Sequence, residues 1–385
     1  MRIGIVTEYY RPWPGGISEH VHHQAEQLMA RGHEVSVITG PARPGWRDAG
    51  PAVERLGYAY EFTSNGALSR MVLGSSLLNF RKFLRRHEFD VVHVHAPMDP
   101  FLGVIALYAS ECATVGTFHA NFEPSFLWET LFRRLRGVAL PAWKRLDARI
   151  AVSEEARRSI AHYFPGEYDV IPNGVDTERF NPDAAPLAAL DDARPKILFV
   201  GRADPRKGLS ILLHAFARLR PSLAGLQLIV VGAEAAEVEA DLSQLGAATR
   251  QDICFAGYAA PEDMAGYYAS CDVFCSPATG QESQGIVLLE AMAAARPPVA
   301  FSIPGYRDVV THGVDGWLID EMNAEALAEG LGRILRDRVT LARVGEAGRK
   351  TALGYSWPRV TERIEAIYAR ARASRNNPET GTAPH

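Results

Sequence analysis

Short β-branched runs alternate with amphipathic helical segments along almost the whole chain. That alternation points to parallel sheets covered on both faces by helices. In a first series, Ile3–Thr7, Val35–Thr39, Val91–His95, Thr114–His119 and Ala148–Val152 read as strands. Helices fall near Ser18–Arg31, Leu68–Arg86, Pro100–Glu111 and Glu154–Tyr163. A second series opens at Lys196-Ile-Leu-Phe-Val-Gly, with further strands at Leu226–Val231, Ile253–Ala256, Val273–Ser276, Pro298–Phe301 and Gly316–Ile319. Its helices fall near Leu209–Leu219, Glu234–Gln244, Pro261–Ser270, Ser283–Ala295 and Ala324–Leu335.

At 385 residues the chain is too long for one core, so each series is expected to be a doubly wound, Rossmann-like domain. The first is expected over residues 1–175 and the second over 196–356. Turn residues and weak apolar periodicity make 176–195 the expected linker, and ligands are expected in a cleft that the two domains face. Trp357–Ala373 reads as a last amphipathic helix, and the polar stretch 374–385 as a disordered tail.

Composition removes several classes of function. A formal net charge of -4 gives no basic footprint for neutralising phosphates in bulk, so no nucleic-acid partner is expected. No apolar run approaches the ~20 residues that span a bilayer, and the first residues lack the apolar core of a secretory signal. A cytoplasmic protein is expected. Cys112, Cys254, Cys271 and Cys275 are too scattered for a disulfide framework, and Cys271 and Cys275 flank an apolar strand as core thiols.

Several motifs carry chemistry. Pro14-Gly15-Gly16-Ile17-Ser18 joins the first strand to the first helix, where small residues let a ligand approach helix-start amides. Gly201-Arg202-Ala203-Asp204-Pro205-Arg206-Lys207-Gly208 repeats the strand–loop–helix arrangement with cations added. Arg202 and Lys207 at a helix start suit a pyrophosphate. Glu282 and Glu290 bracket the next helix start, about 80° apart and ~12 Å along the axis if the span is fully helical. That is the reach of a nucleoside diphosphate sugar rather than a glycosidase acid/base pair, and the amides of Gln284 to Val287, including Gly285 and Ile286, would face phosphate.

His93 and His95 alternate on one strand and His119 closes another, while His20, His22 and His23 ride the first helix. No acidic partner adjoins His93-Val-His95, so no metal site is expected, and His119 is retained as a contact at the cleft. Arg81, Lys82, Arg85 and Arg86 form one cationic face of a helix whose other face carries Leu77, Phe80 and Leu84. An anionic membrane surface is one partner for that face, and Arg133-Arg134-Leu135-Arg136 extends it.

Together, Gly15-Gly16, His119, Ile171-Pro-Asn-Gly-Val-Asp, Gly201-Arg202…Arg206-Lys207-Gly208 and Glu282…Glu290 resemble the retaining GT-B glycosyltransferases of family 4 over roughly residues 1–372. The pattern is most similar to the phosphatidylinositol mannosyltransferases, which share an Arg/Lys-rich helix like Arg81–Arg86. The resemblance implies metal-independent transfer of a hexose, mannose from GDP-mannose, to a lipid-linked or polyol acceptor at the inner membrane face. It implies no cofactor beyond the nucleotide-sugar co-substrate. It also implies that Arg202 and Lys207 bind the donor diphosphate, Glu282 the sugar hydroxyls, Glu290 the ribose, and His119 the transferred sugar. Gly16 would lie against the diphosphate, and the helix 357–373 would pack back on the first domain. Ala120-Asn-Phe-Glu-Pro-Ser departs from the hydroxyl residues and Lys of those mannosyltransferases, and Gln281 and Gln284 stand where they commonly carry Gly and Phe. Two alternatives stay open: a UDP-sugar transferase with a soluble acceptor, and a non-catalytic nucleotide-sugar-binding protein.

Overall fold

The computed structural model describes residues 1–13, 15–64, 67–74, 76–97, 101–119, 134, 137 and 139–376. It divides into two compact units, one comprising Met1–Asn173 and the chain from Trp357 on, the other Gly174–Ser356.

In the first unit, β1 (Arg2–Val6), β2 (Glu34–Thr39), β3 (Ala52–Arg55), β6 (Val91–His95), β7 (Ala113–Phe118), β8 (Ala148–Ala151) and β9 (Asp169–Val170) form a parallel sheet ordered β3-β2-β1-β6-β7-β8-β9. β4 (Tyr58–Ser64) and β5 (Ala67–Leu73) form a separate antiparallel hairpin. The β-branched runs are buried on both sides, as a two-sided cover requires. One face packs Val21, Ala25 and Leu28 of α1 (Gly16–Ala30) with Val360, Ile364 and Ile367 of the C-terminal helix Trp357–Asn376. The other carries α2 (Leu77–His87), α3 (Leu102–Ala109) and α4 (Glu154–Tyr163) through Phe80, Leu84, Leu107 and Ile160. The expected tail boundary at Ser374 falls inside the C-terminal helix, where Arg375 reaches Asp147 at 3.4 Å.

The single helix expected over Leu68–Arg86 is instead a strand followed by a helix. Gly74, at φ +89°, turns the chain after β5, and Ser76 caps α2 by accepting from the Asn79 amide at 3.2 Å. Tertiary contacts decide the strand, because the Val72 amide donates to the buried Glu8 carboxylate at 2.9 Å. The second oxygen of Glu8 accepts from the Leu102 amide at 3.0 Å, and burial pushes its carboxyl up to about 7.

In the second unit, β10 (Lys196–Val200) to β15 (Trp317–Ile319) form a parallel sheet ordered β12-β11-β10-β13-β14-β15. Here β11 is Gln227–Val231, β12 Ile253–Gly257, β13 Val273–Ser276 and β14 Pro298–Phe301. Its longer helices are α5 (Leu209–Leu219), α6 (Ile286–Ala293), α7 (Ala324–Arg336) and α8 (Arg338–Leu353), the last unread in the sequence. The stretch 176–195 is tied into this unit: Phe180 is buried in its core, and Arg349 donates to the carbonyls of Thr177 and Phe180, both at 2.9 Å. Cys271 and Cys275 are buried, unpaired thiols of the same core, and burial pushes the Cys271 thiol up to about 12.

Candidate active site

In the second unit the cationic loop is built at the C-terminal end of β10. The Gly201 amide donates to the Val231 carbonyl at 2.9 Å, and the chain then turns around Asp204. That carboxylate accepts from the Arg206 amide at 3.0 Å and the Arg206 guanidinium at 2.7 Å, with Arg202 at 3.7 Å. Burial pushes the Asp204 carboxyl up, but Arg206 and then Arg202 overrule it and hold it below the usual range. Gly208 sits at φ +72°, and a Cβ there would lie 1.9 Å from the Pro277 carbonyl oxygen. Only glycine closes this turn, which brings Lys207 to the head of α5.

Lys207 Nζ lies 2.6 Å from Glu282 Oε1, so two predicted site residues 75 positions apart meet directly. Arg206 Nη1 likewise donates to Gln281 Oε1 at 2.8 Å. The fully helical spacing expected between Glu282 and Glu290 does not hold. Gln281 and Gly285 adopt positive φ (58° and 78°), and α6 begins only at Ile286, so Glu282 stands on the loop ahead of it. Glu290 sits in the second turn of α6, where the buried Tyr268 hydroxyl donates to its Oε2 at 2.8 Å. Ile286 and Val287 open α6, whose first-turn amides lie at the positive end of the helix.

The floor beneath Glu282 comes from residues far from it along the chain. A Cβ on Gly305 would stand 2.1 Å from the Glu282 carbonyl oxygen, and one on Gly285 would stand 2.5 Å from Tyr306 Cε1. Tyr306 is fixed by a 2.7 Å hydrogen bond to Ser276. Pro304-Gly305 following a strand is the only local signal, and it reads as an ordinary turn. Gly305→Ala is expected to displace Glu282 and lower donor affinity tenfold or more, by roughly 1.4 kcal/mol. Calorimetric titration of the variant with nucleotide sugar checks this against an unchanged fold by circular dichroism.

In the first unit, Gly15 is extended and its carbonyl accepts from the Glu19 amide at 3.1 Å; Gly16 opens α1. A Cβ on Gly15 would meet nothing within 4 Å among the described residues. His119 follows β7, His95 ends β6 and His20 lies on α1. His95 Nδ1 and His119 Nε2 share a 2.8 Å hydrogen bond, and the His20 ring stands 5.3 Å from His95 and 4.9 Å from His119 between centroids. Behind them, His93 stacks on His95 and bonds Thr117 Oγ1 and the Tyr368 hydroxyl, each at 2.7 Å. Burial lowers all four imidazoles, His20 to about 4 and His93 to about 3, with His95 and His119 well below the ordinary value. His119 is therefore neutral at pH 7. A neutral imidazole offers a hydrogen-bonding dipole rather than a positive charge.

The cationic face of α2 is smaller than its spacing suggested. Arg85 makes a paired contact with Glu111 at 2.7 and 3.0 Å, and Arg81 lies 3.7 Å from the same carboxylate and donates to the Tyr108 carbonyl. Lys82 and Arg86 stay exposed, beside Leu77 and the 70% exposed Leu78. Ala120–Ser125 and most of 133–136 lie outside the described residues.

A family model described as Glycosyltransferase Family 4 matches residues 14–179, and one described as Glycosyl transferases group 1 matches 186–351. The phosphatidyl-myo-inositol mannosyltransferase of Mycobacterium tuberculosis (strain H37Rv) is 36% identical over 375 residues, covering 96% of each chain. The chain belongs to the family 4 glycosyltransferases. A GDP-mannose-dependent alpha-(1-6)-phosphatidylinositol monomannoside mannosyltransferase of the same organism is 25% identical, covering 91% of this chain and 93% of its own. The fold is GT-B. Sucrose-phosphate synthase from Thermosynechococcus elongatus matches with a TM-score of 0.77 at 21% identity, covering 97% of this chain and 99% of its own. Anabaena Alr3699/HepE in complex with UDP-glucose matches at 0.75 and 20% identity, covering 96% and 99%. In this family 4 glycosyltransferase, among the described residues, no helix is long and apolar enough to cross a membrane.

Proposed function

We propose that this glycosyltransferase moves mannose from GDP-mannose to an inositol phospholipid or related lipid-linked polyol, with retention and without a metal. The observation that carries the reading is the Lys207–Glu282 pair at 2.6 Å, set between the Arg202–Arg206 loop and the head of α6. A cation and a carboxylate held this closely suit the junction of a diphosphate and a sugar. Lys207 and Arg202 hold the diphosphate, Glu282 accepts from sugar hydroxyls, and Glu290, oriented by Tyr268, accepts from the ribose. The choice of mannose, guanine and an inositol lipid rests on the names of the similar mannosyltransferases.

In the step proposed, the bond from the sugar's anomeric carbon to the phosphate oxygen breaks. A bond to the acceptor oxygen forms on the same face, and the acceptor's hydroxyl proton passes to the departing phosphate. No side chain becomes covalently attached. Catalysis comes from positioning and from the cations that stabilise the charge growing on the diphosphate. Neutral His119 donates or accepts at the sugar through Nδ1, since Nε2 is engaged by His95.

A thermal-shift panel of GDP-mannose, GDP-glucose, UDP-glucose and UDP-N-acetylglucosamine separates this donor from its rival. GDP-mannose is expected to give the largest rise. A larger rise with a UDP-sugar transfers the assignment to the alternative.

For the membrane, Lys82 and Arg86 carry the attraction, at ~1 kcal/mol per charge, with Leu78 as the apolar contact. Flotation with anionic vesicles is expected to fall severalfold for Lys82→Ser/Arg86→Ser and little for Arg85→Ser. Equal flotation of all three proteins counts against docking by this helix.

A further inference from the structure

The three histidines that the fold gathers at the ends of β6, β7 and α1 have a coordination chemistry that the sugar-transfer reading does not use. His20, His95 and His119 each offer a ring nitrogen, and the three atoms lie within 4.8 Å of one another. Along the sequence they are 75 and 24 residues apart, so no short ligand motif marks them. The parallel register that sets His95 opposite Thr117 places His119 beside it, and α1 lays His20 across both.

Two observations separate this group from satisfied core histidines. Among the described residues His20 Nδ1 has no hydrogen-bond partner although the residue is only 3% exposed. A buried polar atom left unpaired costs ~1–3 kcal/mol, and a ligand that fills it recovers that cost. The rings are also held in place by packing: His20 lies edge-on against Trp357 at 5.0 Å, and His95 stacks on His93 at 4.4 Å.

The geometry points to a divalent transition-metal site of the zinc class on His20, His95 and His119, whose occupation shifts the His119 ring and leaves its Nδ1 a hydrogen-bond donor only. Tetrahedral zinc takes imidazole nitrogens at ~2.0–2.1 Å, so its ligand atoms stand roughly 3.3 Å apart. The His95–His119 pair, now at 2.8 Å, opens by about half an ångström, and His20 closes by rotating its side chain. The proton shared by that pair shifts to the other nitrogen of one ring, so uptake by neutral imidazoles releases no proton. His119 is the least buried of the three and gives the ion its way in. A three-histidine set prefers Zn2+, Cu2+ or Ni2+ over Mg2+, which requires oxygen ligands. The displaced His119 ring and the positive charge set beside it make the site inhibitory, and this half of the inference rests on the role proposed for His119.

Calorimetric titration of the whole chain with Zn2+ is expected to give one ion per chain, at least about tenfold weaker in His20→Gln, and no heat with Mg2+. Co2+ as the probe on the unaltered protein is expected to give the intense visible absorption of a tetrahedral site, so the result does not depend on the variant folding. Absence of Zn2+ binding, affinity unchanged in a folded His20→Gln, or an octahedral Co2+ spectrum overturns the site. Transfer is expected to stop at saturating Zn2+ and return with a chelator. If Zn2+ binds but transfer continues while His119→Ala is inactive, inhibition is refuted and the sugar-contact role stands. If His119→Ala is fully active, that role itself has failed.

Discussion

Lys207→Ala lowers the rate of sugar transfer at saturating donor by about 10²–10³-fold, the loss typical of removing one preorganised charge from a transition state. The fold survives, because a partly exposed ion pair contributes at most ~1 kcal/mol to stability. The variant also leaves Glu282 without the ammonium that lies 2.6 Å from it, turning a neutral pair into a net negative charge where a diphosphate must bind. Removing that charge as well, in Lys207→Ala/Glu282→Ala, is expected to cost less than the two single losses added, since contacting residues do not act independently. Single-turnover transfer with a thermal melt of each protein measures both effects. A Lys207→Ala enzyme within about fivefold of the parent rate contradicts the assignment of the diphosphate site.

Acidification is expected to unfold the first unit early. Burial lowers His20 and His22 to about 4 and His93 to about 3 and holds His95 and His119 well below the ordinary value, whereas an unfolded histidine takes a proton near 6.5. Below that value the unfolded state binds more protons. Stability fully present above pH 6.5 is lost at ~1.4 kcal/mol per pH unit for each histidine. Glu8 acts with the opposite sign. Its carboxyl, raised to about 7, is protonated in the folded chain and ionised in the unfolded one from about 4.5 upward, so it favours folding more as pH falls. Five histidines against one carboxyl leave the unfolded state binding more protons below pH 6.5, so stability falls as pH falls. Against a typical reserve of ~5–15 kcal/mol, the unit's melting temperature should fall steadily below pH 6.5. A melting temperature level between about pH 8 and pH 5 contradicts the buried, neutral state of these rings.

What was legible depended on whether the deciding contact was local. Glu154–Tyr163 and Leu209–Leu219 were readable to the residue because their apolar periodicity and starts lie in the sequence itself. The cationic loop was readable because its strand, turn and helix signals are contiguous. The hairpin was missed although Asn65-Gly66 stands between its strands, since Ala67-Leu68-Ser69-Arg70-Met71 has helical propensity and only pairing with Tyr58–Ser64 overrides it. The neutralisation of Arg81 and Arg85 depends on Glu111 of another segment, and the seat of Glu282 depends on Gly305, 23 residues on. The histidine trio shows the same limit: a search for metal ligands beside His93-Val-His95 looks along the chain, while the partners come from across the sheet and from α1.

Mixing the purified enzyme with GDP-mannose labelled in the sugar and vesicles containing phosphatidylinositol, then reading the lipid product and its anomeric configuration by nuclear magnetic resonance, tests mannose transfer with retention. Label is expected in the lipid as an α-mannoside with no added metal, formed about 10²–10³-fold more slowly by Lys207→Ala. A β-linked product, or label that enters lipid only from a UDP-sugar, contradicts it.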